Sequence, residues 1–264
     1  MIAVEVGNSR VKFGFFPDNQ PNSATELPVC AAFLAVPIES AELPWDEIQS
    51  LIQGYASGLT DVPHFVAASV NPQGLAKILA DWPRHRWPQP RVVRSAEVPI
   101  ANLTLYPEKV GTDRLLKAVA ANVLRSSGSP MIVVDSGTAT TVDWITSEGE
   151  FAGGAIFPGL ALSAKSLHDH TAQLPLIDFR QMDHAPAVIG RETVSALASG
   201  LFWAHVGAVR ELIQQMSHDQ TSKEKPPPVL ITGGGGELLT QYIDHAIYRP
   251  TLTLEGLVAA SRIL

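Results

Sequence analysis

Two short segments of this chain repeat one another about half a chain apart. Val4-Glu5-Val6-Gly7-Asn8-Ser9 and Val134-Asp135-Ser136-Gly137-Thr138-Ala139 share one form: an apolar residue, an acid, a spacer, a glycine and a polar residue. Each sits between two β-rich runs, Ile2–Val6 and Val11–Phe16 in the first case, Met131–Asp135 and Thr140–Ile145 in the second. Strand, turn and strand in that order read as a β-hairpin. A repeat of this kind predicts two α/β halves of similar build facing one cleft. The boundary falls near Lys117–Ser129 and divides the chain into domains 1–118 and 119–264. Glycine lets a backbone approach a ligand closely, and the N–H groups of such a turn can hold phosphate oxygens. One such turn is also an ordinary β-turn with a capping acid. One on each side of a cleft is what an ATP clamp needs.

The remaining periodicity fills in the halves. Strands are expected at Val29–Val36, His64–Val70 and Arg91–Arg94, and helices at Trp45–Tyr55, Gly74–Trp82 and Thr112–Leu124. Pro99–Val110 shows no period and reads as a loop. In the second half Phe151–Phe157 and Val229–Thr232 read as strands. Leu160–His170, Glu192–Met216, Glu237–Ile243 and Glu255–Leu264 read as helices, and the polar, proline-rich Ser217–Pro228 as an exposed loop.

Composition narrows the function classes. Of 264 residues 45% are hydrophobic and 17% charged, as in a globular protein. The formal net charge of -7 gives no general attraction for nucleic acid or an anionic membrane face, so neither is expected as a partner. Any nucleotide must be held by local donors. The lone Cys30 allows no intrachain disulfide, the N-terminus lacks the pattern of a signal peptide, and no apolar run is long enough to span a bilayer. The expected location is the cytoplasm.

Several further segments each carry two readings. Gly111-Thr112-Asp113-Arg114 opens a helix: Thr112 or Asp113 caps it, or Asp113 accepts the proton of a substrate hydroxyl while Arg114 binds an anionic part of the substrate. Gly233-Gly234-Gly235-Gly236 is a plain connection, or a close approach to a ligand followed by a helix N-terminus. It has neither the Gly-Lys-Ser/Thr end of a Walker A loop nor the Gly-x-Gly-x-x-Gly of a dinucleotide fold. Thr193 is a helix cap or a substrate contact. His168-Asp169-His170 is a metal pair or a surface feature; the i, i+2 spacing within a helix favours the latter.

Taken together, the motifs resemble those of the type III pantothenate kinases, in an order that spans almost the whole chain. Glu5-Val6-Gly7-Asn8-Ser9 is similar to that family's phosphate hairpin. Ser69-Val70-Asn71-Pro72, Gly111-Thr112-Asp113-Arg114 and Asp135-Ser136-Gly137-Thr138-Ala139-Thr140-Thr141 follow, then Gly153-Gly154-Ala155-Ile156-Phe157-Pro158-Gly159, Thr171-Ala172-Gln173-Leu174-Pro175, Gly190-Arg191-Glu192-Thr193 and Thr232-Gly233-Gly234.

The resemblance implies a duplicated actin-like (ribonuclease H-like) α/β fold: mixed sheets flanked by helices, with the ATP cleft between the domains. It implies ATP-dependent phosphorylation of pantothenate to 4'-phosphopantothenate, the first step of coenzyme A biosynthesis, with Mg²⁺ and a monovalent cation, K⁺ or NH₄⁺. Asp113 would be the catalytic base, and Gly111, Thr112, Asp113 and Arg114 would line the pantothenate site. Thr193 would join it from the partner subunit of a homodimer. Glu5, Val6, Gly7, Asn8, Ser9, Arg10, Val11, Lys12 and Thr138 would contact ATP, and Asp135 the monovalent cation. Two positions differ from the family: Glu5 stands where Asp is usual, and Thr104 where a substrate-contacting Tyr is frequent. Alternatives are a kinase of the same fold for another hydroxylated small molecule, and a weakly catalytic nucleotide-binding paralogue with a regulatory role.

Overall fold

A computed structural model describes residues 1–17, 26–40, 43–55, 64–220 and 226–264. The chain divides into two compact units. Unit 1 comprises Met1–Leu124, Gly149–Phe151 and Thr251–Leu264; unit 2 comprises Arg125–Glu148 and Ala152–Pro250. This division differs from a single cut at 118/119: the last helix and three residues at 149–151 group with the N-terminal segment.

Unit 1 is built on a five-stranded sheet of β1 (Ile2–Val6), β2 (Arg10–Phe15), β3 (Ala32–Pro37), β4 (Phe65–Ser69) and β5 (Arg91–Val92), in the order β3-β2-β1-β4-β5. The first three strands form an antiparallel meander, and β1–β4 and β4–β5 are parallel. β1 is central and buried along its whole length, as a strand covered on both faces must be. One face packs Val4, Val6, Phe13 and Phe65 on α1 (Trp45–Tyr55) and α2 (Pro72–Ala80). Trp45, Trp82 and Trp87 interlock there in edge and tilted contacts, the Trp45–Trp82 centroids 5.3 Å apart.

The Ser69-Val70-Asn71-Pro72 segment explains the start of α2. Asn71 Oδ1 accepts from Gly74 N at 2.9 Å and Pro72 fills the first helical turn. Against the sheet also pack α3 (Thr112–Leu124) and the last helix, α7 (Leu252–Ser261). α7 reaches α3 at Gly256, where a Cβ would come 2.0 Å from the Leu116 carbonyl oxygen.

Unit 2 repeats the plan. Its strands are β6 (Met131–Ser136), β7 (Ala139–Ile145), β8 (Phe151–Pro158, of which Phe151 groups with unit 1), β9 (Val229–Thr232) and β10 (Ala246–Tyr248), in the order β10-β9-β6-β7-β8. Read from the third strand of each set, both sheets run 3-2-1-4-5. β6–β7 is antiparallel, while β6–β9 and β9–β10 are parallel, as in unit 1. The helices are α4 (Leu160–Asp169), α5 (Thr193–Gln220) and α6 (Gly236–Thr240). Ile132, Val134, Val142 and Trp144 meet Phe202, Val206 and Val209 of α5.

Several expectations are corrected in detail. The loop expected at Ser217–Pro228 starts later: Ser217–Gln220 continue α5, and 221–225 lie outside the described residues. The helix expected over Glu237–Ile243 is the five-residue α6, and β10 after it was read as no element. Among the described residues no helix is long and apolar enough to cross a membrane.

Candidate active site

In unit 1 the first hairpin turn closes by Gly7 N donating to the Arg10 carbonyl at 2.9 Å. Asn8, Ser9 and Arg10 are exposed at its tip, whereas Val6 and Val11 pair across its base and are buried. Glu5 lies opposite Lys12 in the β1–β2 ladder. Lys12 Nζ donates to Glu5 Oε2 at 2.9 Å. Glu5 therefore meets its pocket with its charge already offset by an adjacent cation.

Gly111 opens α3 without a side-chain cap; its carbonyl accepts from Arg114 N at 3.1 Å. The glycine has a local reason: a Cβ there would lie 2.6 Å from Asp113 Oδ1. Asp113 is thus tucked against its own helix start. It lines a narrow pocket together with Glu5, Val6, Ala68, Ser69, Val70 and Thr253. The β4 end of this pocket is fixed by Ser69, whose Oγ accepts from Asn71 N and donates to the Asn71 carbonyl, both at 2.9 Å. Thr112 is buried.

Lys117, one turn further along α3, sends Nζ to Asp113 Oδ2 at 2.9 Å. Burial on its own would raise the Asp113 carboxyl; the Lys117 ammonium, helped by the Arg114 backbone and charge, outweighs it and holds the group below its ordinary value. Arg114 places its guanidinium 5.2 Å from the centre of the Phe151 ring.

The Thr104 region is also resolved. Thr104 N and Oγ1 both donate to Asn102 Oδ1, at 3.1 and 2.8 Å. The chain bends at Thr104–Leu105. Tyr106 is exposed, with Lys109 Nζ 4.5 Å above its ring.

In unit 2 the second hairpin turn is held mostly by backbone. Gly137 N donates to the Ala139 carbonyl at 3.2 Å, Gly159 N to the Thr138 carbonyl at 3.0 Å and Gly235 N to the Ser136 carbonyl at 3.0 Å. Gly233 has φ +90°, and a Cβ on it would lie 2.5 Å from Asp135 Oδ1 and from the Ser136 carbonyl oxygen. Gly233 and Gly235 are therefore required by close packing on the turn, and α6 beyond them is too short to act as an anion-binding helix terminus. Asp135 is half-buried and Thr138 exposed. Asp135 lies opposite Thr141, whose Oγ1 donates to Asp143 Oδ2 at 3.2 Å. Behind the turn Ser136 Oγ is 3.3 Å from His205 Nε2. Burial pushes His205 down to about 4, so it is neutral at pH 7.

Thr193 starts α5 and is exposed, but it is not the cap. Glu192 takes that role, its carboxylate accepting from Val194 N and Ser195 N at 2.9 and 2.7 Å. His168 and Asp169 end α4; Asp169 pairs with Lys165, and among the described residues no group of three His, Cys, Asp or Glu could hold a metal. Reading the residues alone missed Lys117 and His205. The i, i+4 spacing of Asp113 and Lys117 was a usable signal. His205 had only its place on the apolar stripe of Phe202, Val206 and Val209.

Two 3-2-1-4-5 sheets, each opening on an acid-and-glycine hairpin, define the duplicated α/β fold of the actin and sugar-kinase class. Over the full length of both chains the backbone resembles a Campylobacter jejuni protein assigned to the Baf family of transcriptional activators, with 20% identity and a TM-score of 0.53. It also resembles a Sinorhizobium meliloti protein assigned as a 2-dehydro-3-deoxygalactonokinase, with 14% identity and a TM-score of 0.51, covering 99% of this chain and 98% of that one. The family model for type III pantothenate kinase matches residues 1–215. A type III pantothenate kinase of Dehalococcoides mccartyi is 32% identical, over 97% of this chain and 93% of its own. The chain belongs to the type III pantothenate kinase family.

Proposed function

We propose that Asp113 is the base of the family's reaction in this chain. The reaction is transfer of the γ-phosphoryl group of ATP to the primary hydroxyl of pantothenate, in coenzyme A biosynthesis. The pantothenate oxygen forms a bond to the γ-phosphorus, the bond from that phosphorus to the β,γ-bridging oxygen breaks, and ADP leaves. Asp113 orients the hydroxyl and takes its proton. Positioning and charge supply most of the catalysis in such transfers. The observation that carries this reading is an ionised Asp113 in one pocket with Glu5, at the base of an exposed glycine turn.

The remaining roles are those that the family resemblance implies. Gly111, Thr112 and Arg114 line the pantothenate site, Arg114 facing the pantothenate carboxylate as a planar cation. Glu5 to Lys12 and Thr138 contact ATP, whose Mg²⁺ arrives with the nucleotide. Since Glu5 is paired with Lys12, it acts on that Mg²⁺ through water rather than as a ligand. Asp135, with Thr141 and Asp143 on the same face of β6–β7, presents hard oxygen donors, which suit K⁺ or NH₄⁺. Thr193 reaches the pantothenate site of a second copy. The exposed Val188, Ile189 and Val194 beside it support a homodimer. The enzyme works in the cytoplasm.

The test is a coupled assay with pantothenate, ATP and Mg²⁺, with and without K⁺, alongside a panel of sugars and hydroxy acids. Pantothenate is expected to be preferred and K⁺ to be required. Asp113→Asn is expected to lower kcat about 10²- to 10⁴-fold while nucleotide binding, read by calorimetry, survives. Near-normal turnover in that variant removes Asp113 from the mechanism. Mixing Asp113→Asn and Thr193→Ala subunits checks the shared site: partial recovery of activity supports the dimer reading, and none argues against it.

A further inference from the structure

Lys117 is the most deeply buried charged side chain near the pocket, 1% exposed, against 23% for the Asp113 side chain it contacts. A lysine is almost never buried to this degree unless it is paired, because its ammonium loses its water. The pair is not ordinary helix surface chemistry. Lys165 and Asp169 on α4 have the same i, i+4 spacing and a similar 2.7 Å contact, yet their side chains are 63% and 41% exposed. Lys117 lies in the buried stretch Leu115–Ala121 of α3, with α7 packed against the helix. Only the aspartate side of the pair opens toward the pocket.

The charges around Asp113 come from several elements. On α3 they are Arg114 and Lys117; from β1 comes Glu5, offset by Lys12 of β2. The pocket residues Ala68 and Ser69 of β4, and Val70 just beyond it, do not titrate. α7 carries the buried Glu255, whose Oε1 accepts from Thr251 Oγ1 at 2.9 Å. When the nucleotide adds its negative phosphates, each nearby carboxylate is pressed to take up a proton. An aspartate that did so would lose its function as base.

We propose that Lys117 is a positioning residue for this reaction: it clamps one oxygen of the Asp113 carboxylate, leaves the other to the acceptor alcohol, and keeps the group anionic while ATP is bound. The inference rests on the reading of Asp113 as base. The clamp makes Asp113 a weaker base. That suits a loose transition state, in which orientation counts for more than proton affinity.

The test compares wild type, Lys117→Met and Lys117→Arg from pH 5 to 9, with kcat and both KM values measured and folding followed by circular dichroism. Lys117→Met is expected to lower kcat about ten- to a hundredfold at pH 8 with the KM for ATP little changed. Its deficit should widen toward pH 5, as its acid limb moves up into the measured range. Lys117→Arg should keep the wild-type acid limb. A folded Lys117→Met whose acid limb stays in place overturns the proposal. If that variant does not fold, carbon-detected NMR titration of wild-type Asp113 decides: the carboxylate should stay ionised at pH 5 with a non-hydrolysable ATP analogue bound, and protonation there overturns the proposal. Asp113→Asn separates the two readings. Full activity in it removes the base itself; an inactive Asp113→Asn beside an unmoved Lys117→Met limb removes only the role of Lys117.

Discussion

The two hairpin turns share a strand order and a spacing, yet they are supported in different ways. The unit 1 turn stands on charge: Glu5 and Lys12 face each other across the ladder beneath it. The unit 2 turn stands on backbone: Gly159, Gly233 and Gly235 crowd Asp135 to Thr138, and a neutral histidine stops the space behind. A duplicated fold conserves where the turn points and leaves open what holds it there. Charge-based support responds to salt and to a single charge deletion, while packing-based support responds to a single methyl group.

The largest effect should come from that methyl group. Gly233→Ala combines a left-handed backbone with a 2.5 Å approach to Asp135 and Ser136. It is expected to cost about 3–5 kcal/mol of stability and to weaken K⁺ activation, read by urea denaturation and by the assay. Gly234→Ala next to it meets nothing within 4 Å and should stay within about 0.5 kcal/mol. Equal losses at both positions would break the comparison.

His205 gives the next effect. Its folded pKa of about 4 lies below the 6.5 of a free histidine, so the unfolded chain binds the proton more readily. Stability is full above pH 6.5 and falls as pH drops toward 4, by about 2 kcal/mol between pH 7 and 5. His205→Gln should flatten that slope in denaturation curves taken at each pH. Asp113 adds a separate loss only below pH 3.8, since its depressed pKa stabilises the fold above that value.

Lys12→Met is the smallest of the three. Glu5 and Lys12 side chains keep some solvent, 12% and 25% exposed, so about 1–2 kcal/mol is expected after screening. The KM for ATP should rise, and the effect of the lost lysine should shrink in high salt. Unit 2 variants should show no such salt dependence.

Much of the fold was legible because its signals are local. α1 and α3 match their expected bounds to the residue: each is an amphipathic run with acids in its first turn. The repeated hairpins were legible because the acid and glycine sit at fixed offsets. What escaped depends on distant chain. β10 is three residues long and defined by its pairing with β9. α6 stops early, and Thr240 Oγ1 bonds back to the Gly236 carbonyl at 2.7 Å. The glycine run was open between ligand approach and connection until Asp135 was seen packed beneath Gly233. Among site residues, Asp113 stood out by its motif, whereas Lys117 looked like one more polar position on a helix until burial gave it a partner.

The grouping of residues 251–264 with the N-terminal unit has a consequence for biogenesis. Thr253 lines the Asp113 pocket and Gly256 seats α7 on α3, so this unit's core stays open while the ribosome makes residues 125–250. Unit 2 has all its strands and helices available first and can mature during translation, while the nascent N-terminal sheet waits for the helix that closes it. A premature stop just before Thr251 would therefore damage the opposite end of the polypeptide.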